Sequence, residues 1–177
     1  MPDNKLQIIS HLLMASISDL YSNDGYFLSC EDEIREGMER SCAFRIGHYF
    51  CNRVAEVPLL KDYNIDMEYN KNYHQPKKLP GQGKGKNPDL IVHKRCSNEN
   101  NLLIVEFKYQ PRIRNYAKDI KKLKGFTDNN YEYKYGLGIL VILRQEFNSV
   151  GYKFYQNGQE LSDEESEQFR LPHDFSE

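Results

Sequence analysis

Asp89, Glu106 and Lys108 are the residues of this chain whose types and spacing invite chemistry. Asp89 opens "PDLIVH", and Glu106 and Lys108 close "NLLIVEFKY". The stretch Leu102 to Phe107 has the apolar make-up of a strand in mid-sheet, where a charge is almost never left without a partner. Side chains alternate across a strand, so Leu102, Ile104, Glu106 and Lys108 share one face and Leu103, Val105 and Phe107 the other. Asp89 to His93 reads as a strand, "KRCSNENN" as a turn and Leu102 to Tyr109 as the returning strand of an antiparallel hairpin. That hairpin carries Asp89 to Glu106 and Lys108. Two carboxylates brought together repel each other, and one protonates unless something compensates. A divalent cation does so. Mg²⁺ or Mn²⁺ takes oxygen ligands, and one or two carboxylates completed by water and phosphate oxygens suit it. A lysine beside such an ion can orient an attacking water or stabilise charge growing on phosphorus. The competing reading is a plain ion pair between Glu106 and Lys108 at a strand end, with Asp89 an ordinary turn acid after proline.

The elements that must position these groups follow from periodicity. Leu6, Ile9, Leu12, Leu13 and Ile17 fall at helical spacing over Lys5 to Tyr21. A second helix is expected from about Glu33 to about Glu56, with Ala43, Ile46, Gly47, Phe50 and Val54 as its apolar stripe. Glu39 falls on that stripe one turn before Ala43, and Glu36 lies close to it; solvated acids normally take the other side. Glu39 can also be a first-turn acid favoured by the helix dipole. "YNIDMEY", Tyr63 to Tyr69, alternates as a strand, with Ile65, Met67 and Tyr69 on one face and Asp66 and Glu68 on the other. Glu68 reads as a solvated strand residue and His93 as a satisfied strand-end histidine. "NKNYHQPKKLPGQGKGKN" reads as a long loop. It contains no G-x-x-x-x-G-K-[ST], so it is not a phosphate-cradling P-loop. A basic helix is expected over Tyr116 to Phe126 with Ile120 and Leu123 inward. "GLGILVIL", Gly136 to Leu143, is a strand buried on both faces, and Gly151 to Tyr155 an edge strand. This order calls for an α/β fold, a mixed central sheet flanked by helices. One domain is expected over 1–156, followed by an acidic, frayed or surface-helical tail over 157–177.

With those residues in place, the chain resembles the PD-(D/E)xK superfamily of nucleases. Pro88-Asp89 and, after a hairpin, Glu106-Phe107-Lys108 match its motif. The α-β-β-β-α-β order of its restriction-endonuclease-like core matches about Glu33 to Leu143. "ERSCAFRIGHYF", "DMEYNKN", "NPDLIVHKR", "NLLIVEFKY" and "KDIKKLKGFT" further resemble small prokaryotic and phage members, a likeness that carries no substrate. The resemblance implies metal ligation by Asp89, Glu106 and the backbone carbonyl of Phe107, a catalytic Lys108, and a further acid at Glu39. It implies hydrolysis of nucleic-acid phosphodiesters with Mg²⁺ or Mn²⁺, DNA being the first expectation. The alternative is a catalytically inactive module of the same fold that binds nucleic acid or protein.

Charge distribution agrees with an anionic partner. The 177 residues carry a net charge of −2, unevenly spread. Five lysines and no acid lie between Lys71 and Asn87, and six basic residues against Asp119 alone between Pro111 and Lys124. Lys77, Lys78, Lys84 and Lys86, in the loop leading to Asp89, are therefore expected to hold phosphates, a contact that gives affinity without sequence readout. No recognition helix or zinc finger accompanies them. The four cysteines form no C-x-x-C pair and read as thiols of a reducing compartment rather than zinc ligands. No apolar run reaches membrane-span length, and the first residues lack the basic region of a signal peptide. These features together lead to the expectation of a cytoplasmic chain with no membrane partner; a homodimer stays open.

Overall fold

The computed structural model describes residues 4–28, 35–79, 87–109 and 116–171. Two long helices come first, α1 (Asn4–Asp24) and α2 (Arg35–Ala55). On α1, Leu6, Ile9, Leu13, Ile17 and Leu20 are buried, the three-and-four spacing of an amphipathic helix. On α2, Cys42, Ala43, Ile46, Gly47, Phe50 and Val54 are buried. Arg53 grips both carboxylate oxygens of Asp19 at 2.8 Å, and Arg45 and Tyr49 each reach Asp24 at 2.7 Å. The two contacts run in opposite chain directions, so the helices form an antiparallel pair.

The sheet contains β1 (Asn64–Met67), β4 (Leu90–His93), β5 (Leu103–Tyr109), β6 (Leu137–Leu143), β7 (Gly151–Gln156) and β8 (Gln159–Glu160), in the spatial order β1-β4-β5-β6-β7-β8. Among the described strands, the β5–β6 pair alone is parallel. A parallel neighbour needs a crossover, and α3 (Ala117–Thr127) lies on that connection. The fold is thus a mixed α/β layer structure. Leu103, Val105 and Phe107 face the α1–α2 core, whereas Ile104, Leu140 and Ile142 join Leu123 and Phe126 of α3. All seven residues of β6 are buried. None of the described helices is long and apolar enough to cross a membrane.

Three expectations are corrected. The long lysine-rich loop is not wholly irregular: β2 (Lys71–Asn72) and β3 (Gln75–Pro76) form a small hairpin within it. Tyr69 does not share the face of Ile65 and Met67. Glu68 takes a left-handed φ of 51°, the chain turns there, and Tyr69 packs in the α3-side core. Finally, the acidic stretch after 156 is packed rather than frayed as far as 171, and part of it is the expected surface helix. Asn157 (φ 49°) and Gly158 (φ 77°) make the two-residue hairpin loop for which Asn-Gly is the strongest sequence signal, and β8 lies outside β7. Ser162 and Glu165 then cap α4 (Asp163–Ser166) reciprocally. Phe169 is buried against Phe154 with ring centroids 5.9 Å apart, and its carbonyl accepts from the Ser10 hydroxyl at 2.7 Å. An apolar ring two turns beyond an acidic cap is what folds this segment back onto α1.

Phe169→Ala is expected to cost roughly 3 to 5 kcal/mol of stability, the usual range for an emptied aromatic site. Urea unfolding followed by circular dichroism measures it; a loss below about 1 kcal/mol would show the segment to be peripheral.

Candidate functional site

The site grows from a mismatch in strand length. β4 begins at Leu90, opposite Val105, while β5 continues to Tyr109 along β6. Among the described residues, no strand pairs with the β4-side edge of β5 beyond Val105. Buried backbone donors must still be satisfied, and side chains do it. The Phe107 amide donates to Asp89 Oδ2 at 2.7 Å, and the Tyr109 amide to Glu39 Oε2 at 3.2 Å. Asp89 comes from the residue preceding β4, and Glu39 from the face of α2 that meets β5. The Phe107 carbonyl faces the same edge as its amide, because both groups of a strand residue point one way.

Glu106 and Lys108 stand on the other side of this edge. Glu106 is 1% exposed. Its Oε2 accepts from Lys122 Nζ at 2.6 Å, and Lys122 also donates to the Asn87 carbonyl at 3.1 Å. Its Oε1 is buried with no hydrogen-bond donor among the described residues. Lys108 Nζ lies 3.1 Å from Glu39 Oε1 and 3.7 Å from Asp119 Oδ1. The structure thus brings Glu39, Asp89, Glu106, Phe107 and Lys108 together. It also overturns the plain Glu106–Lys108 pair: each takes its charged partner from a helix. Lys122 and Asp119 were not singled out from the sequence. Their signal was present, since both flank the inward stripe of Leu123 and Phe126 at helical spacing.

Electrostatics here follow from burial and crowding. Burial raises the Glu106 carboxyl and Asp89 raises it further, against the pull of Lys122. Asp89 is raised too, mainly by burial, although the Phe107 amide, Lys108 and Lys122 draw it back. Burial opposes the ammonium of Lys108, yet Glu39 and then Asp119 hold it above the ordinary lysine range. The cluster sets four carboxylates, Glu39, Asp89, Glu106 and Asp119, against the ammoniums of Lys108 and Lys122. With all of them ionised, two negative charges are left over. Among the described residues no three His, Cys, Asp or Glu side chains stand as a metal-holding group. What the site offers a cation is a different donor set: the paired carboxylates of Asp89 and Glu106, the orphaned Glu106 Oε1 and the Phe107 carbonyl. Hard oxygen donors of this kind are the ligand type that Mg²⁺ or Mn²⁺ takes, and a cation would favour the ionised forms of the two raised carboxyls.

The phosphate-holding lysines fare differently. Lys84, Lys86 and the side chain of Glu36 lie outside the described residues. Lys78 is exposed. Lys77 is corrected outright: it is 1% exposed, hydrogen-bonded to the Tyr135 hydroxyl at 2.9 Å, and ringed by Tyr69, Tyr133 and Tyr135 at 5.8, 5.4 and 5.3 Å. It cannot reach a phosphate. Nothing in the lysine-rich composition separates this residue from its neighbours; only the tyrosine cage does. Burial lowers the Lys77 ammonium to about 8, with Asp66 and Glu132 acting against the shift. His93 pairs with Asp66 at 2.9 Å at the far end of β4, a satisfied strand-end histidine. Glu68 is exposed, yet it lines a cleft of about 270 Å³ with Glu39, Arg40, Phe44, Met67 and Asp89. Comparison with known protein families, curated proteins and solved structures finds no match.

The Lys77 cage gives a signed pH dependence. Between pH about 8 and the ordinary lysine value, the unfolded chain keeps a proton that the folded chain has released, so stability rises with pH. Relative to Lys77→Met, the wild type should gain up to about 1 kcal/mol per pH unit from pH 8 to 10. Urea unfolding of both proteins at each pH tests it, and a constant difference would place the charge outside the cage.

Proposed function

We propose that this chain is a metal-dependent nuclease with a restriction-endonuclease-like core, acting on nucleic acid, with DNA the first substrate to test. The observation that carries this reading is the end of β5, where two buried carboxyls, Asp89 and Glu106, meet Lys108 and one Glu106 oxygen has no hydrogen-bond donor among the described residues. Asp89, Glu106 and the Phe107 carbonyl would hold Mg²⁺ or Mn²⁺. When bound, such an ion supplies positive charge for the scissile phosphate and makes a water acidic enough to attack. Lys108 stabilises the charge that builds on phosphorus, or orients the water, from a position fixed by Glu39 and Asp119. Lys122 orients Glu106. With Lys77 buried, sequence-independent phosphate contacts fall to Lys78 and to the exposed Lys118 and Lys121 of α3, the helix that carries Asp119 and Lys122.

A second reading has its own support. Glu106 is paired with Lys122, Glu39 with Lys108, and Asp89 with a backbone amide. A site so far satisfied from within also suits a nuclease fold that binds nucleic acid or a protein without turnover.

Mg²⁺ or Mn²⁺ is expected to raise the melting temperature of the wild type, since a ligand of the folded state stabilises it, and Asp89→Ala should abolish the response. Calorimetry with and without chelator measures this; a wild type indifferent to both ions leaves the internally satisfied site as the better account.

Single-strand, duplex and RNA substrates with either ion should reveal wild-type cleavage. Lys108→Ala should keep its fold and metal response and lose about 100- to 1,000-fold in rate, the usual loss for one preorganised electrostatic group. Undiminished cleavage by that variant would remove Lys108 from the mechanism.

A further inference from the structure

The cleft beside the site differs in chemistry from the site itself. It lies between α2 and the end of β1, and its walls are Phe44 and Met67 on the apolar side and Glu39, Glu68 and Asp89 on the acidic side. Phe44 is 66% exposed. A lone exposed phenylalanine is ordinary on any surface. This one stands on the helix that supplies Glu39, a little over one turn away, at the mouth of a concavity that reaches Asp89. Arg40, also exposed, precedes it by one turn. Glu68 is turned into the same cleft by its left-handed backbone, and its amide donates to the Asp89 carbonyl at 3.2 Å, which ties this wall to the site.

Apart from Arg40, the polar lining side chains Glu39, Glu68 and Asp89 offer a phosphate no cation, so the part of a nucleotide that fits beside Phe44 and Met67 is the uncharged base. The base offers a flat apolar face to Phe44, and its phosphate is left at the rim, where Arg40 is the cation. A base stacked within a duplex has both faces covered by its neighbours, whereas an unpaired base has a face to give. We propose that Phe44 stacks an unpaired nucleobase, with Arg40 on its phosphate, so that the strand reaching Asp89 is single-stranded. This rests on the nuclease reading of the site and adds its substrate class.

The chain has no tryptophan, so Phe44→Trp places a single indole in the cleft. With chelator present, to keep the oligonucleotide intact, a short single-stranded DNA should quench that indole and the blunt duplex of the same sequence should not. Phe44→Ala should bind the single strand about tenfold more weakly, the loss expected for one stacked base, with duplex affinity and melting temperature unchanged. Arg40→Ala should weaken single-strand binding and make its salt dependence shallower. The inference is overturned if Phe44→Ala holds the single strand as tightly as the wild type does, or if single strand and duplex leave the indole equally unaffected. Ion-dependent cleavage by the wild type with either of those results keeps the nuclease and discards the stacking site. Quenching by single strands without ion-dependent cleavage keeps the stacking site and discards hydrolysis.

Discussion

The open edge of β5 is the constraint on which the site depends. β5 must run its full length along β6, because both strands are buried on both faces and their parallel ladder extends from Leu103 to Tyr109. β4 does not follow it that far. The amides of Phe107 and Tyr109 then donate to the side chains of Asp89 and Glu39. A backbone requirement thus gathers acids from two distant segments at one point. It also explains why an acid occupies the inner stripe of α2, where a leucine would otherwise pack.

The acids gathered there resist one another. Burial raises both Asp89 and Glu106; Glu39 adds to the rise at Asp89, Asp89 and Asp119 to that at Glu106, and the neighbouring lysines only partly offset them. The orphaned Glu106 oxygen adds an unmet hydrogen-bond acceptor in a buried place. A cluster held in this state costs stability unless a ligand relieves it, a pattern common at functional sites. The surrounding clamps make the cost tolerable. Asp19–Arg53 and Asp24–Arg45 lock α2 to α1, and the returning C-terminal segment buries Phe169 against the same core. On the opposite side, the tyrosine cage around Lys77 fixes the chain shortly before the residues that lead to Asp89.

Periodicity along the chain marks the long helices, α3, β1 and β4 to β7, together with the hairpin from Asp89 to Lys108 and the three charged groups at one end of it. These follow from backbone periodicity and short turns, which are local properties. Asn157-Gly158 as a hairpin loop and Lys122 beside the inward stripe of α3 are local signals of the same kind. The charge pairings, by contrast, were set by the packing of distant elements. Glu106 takes Lys122 rather than Lys108, and Lys108 takes Glu39 from 69 residues away. Likewise, one lysine of a uniformly basic run is enclosed by tyrosines while its neighbour Lys78 stays in water. The physical reason is the same in each case. A charged side chain chooses its partner by distance in space and by depth from solvent, and periodicity along the chain records neither.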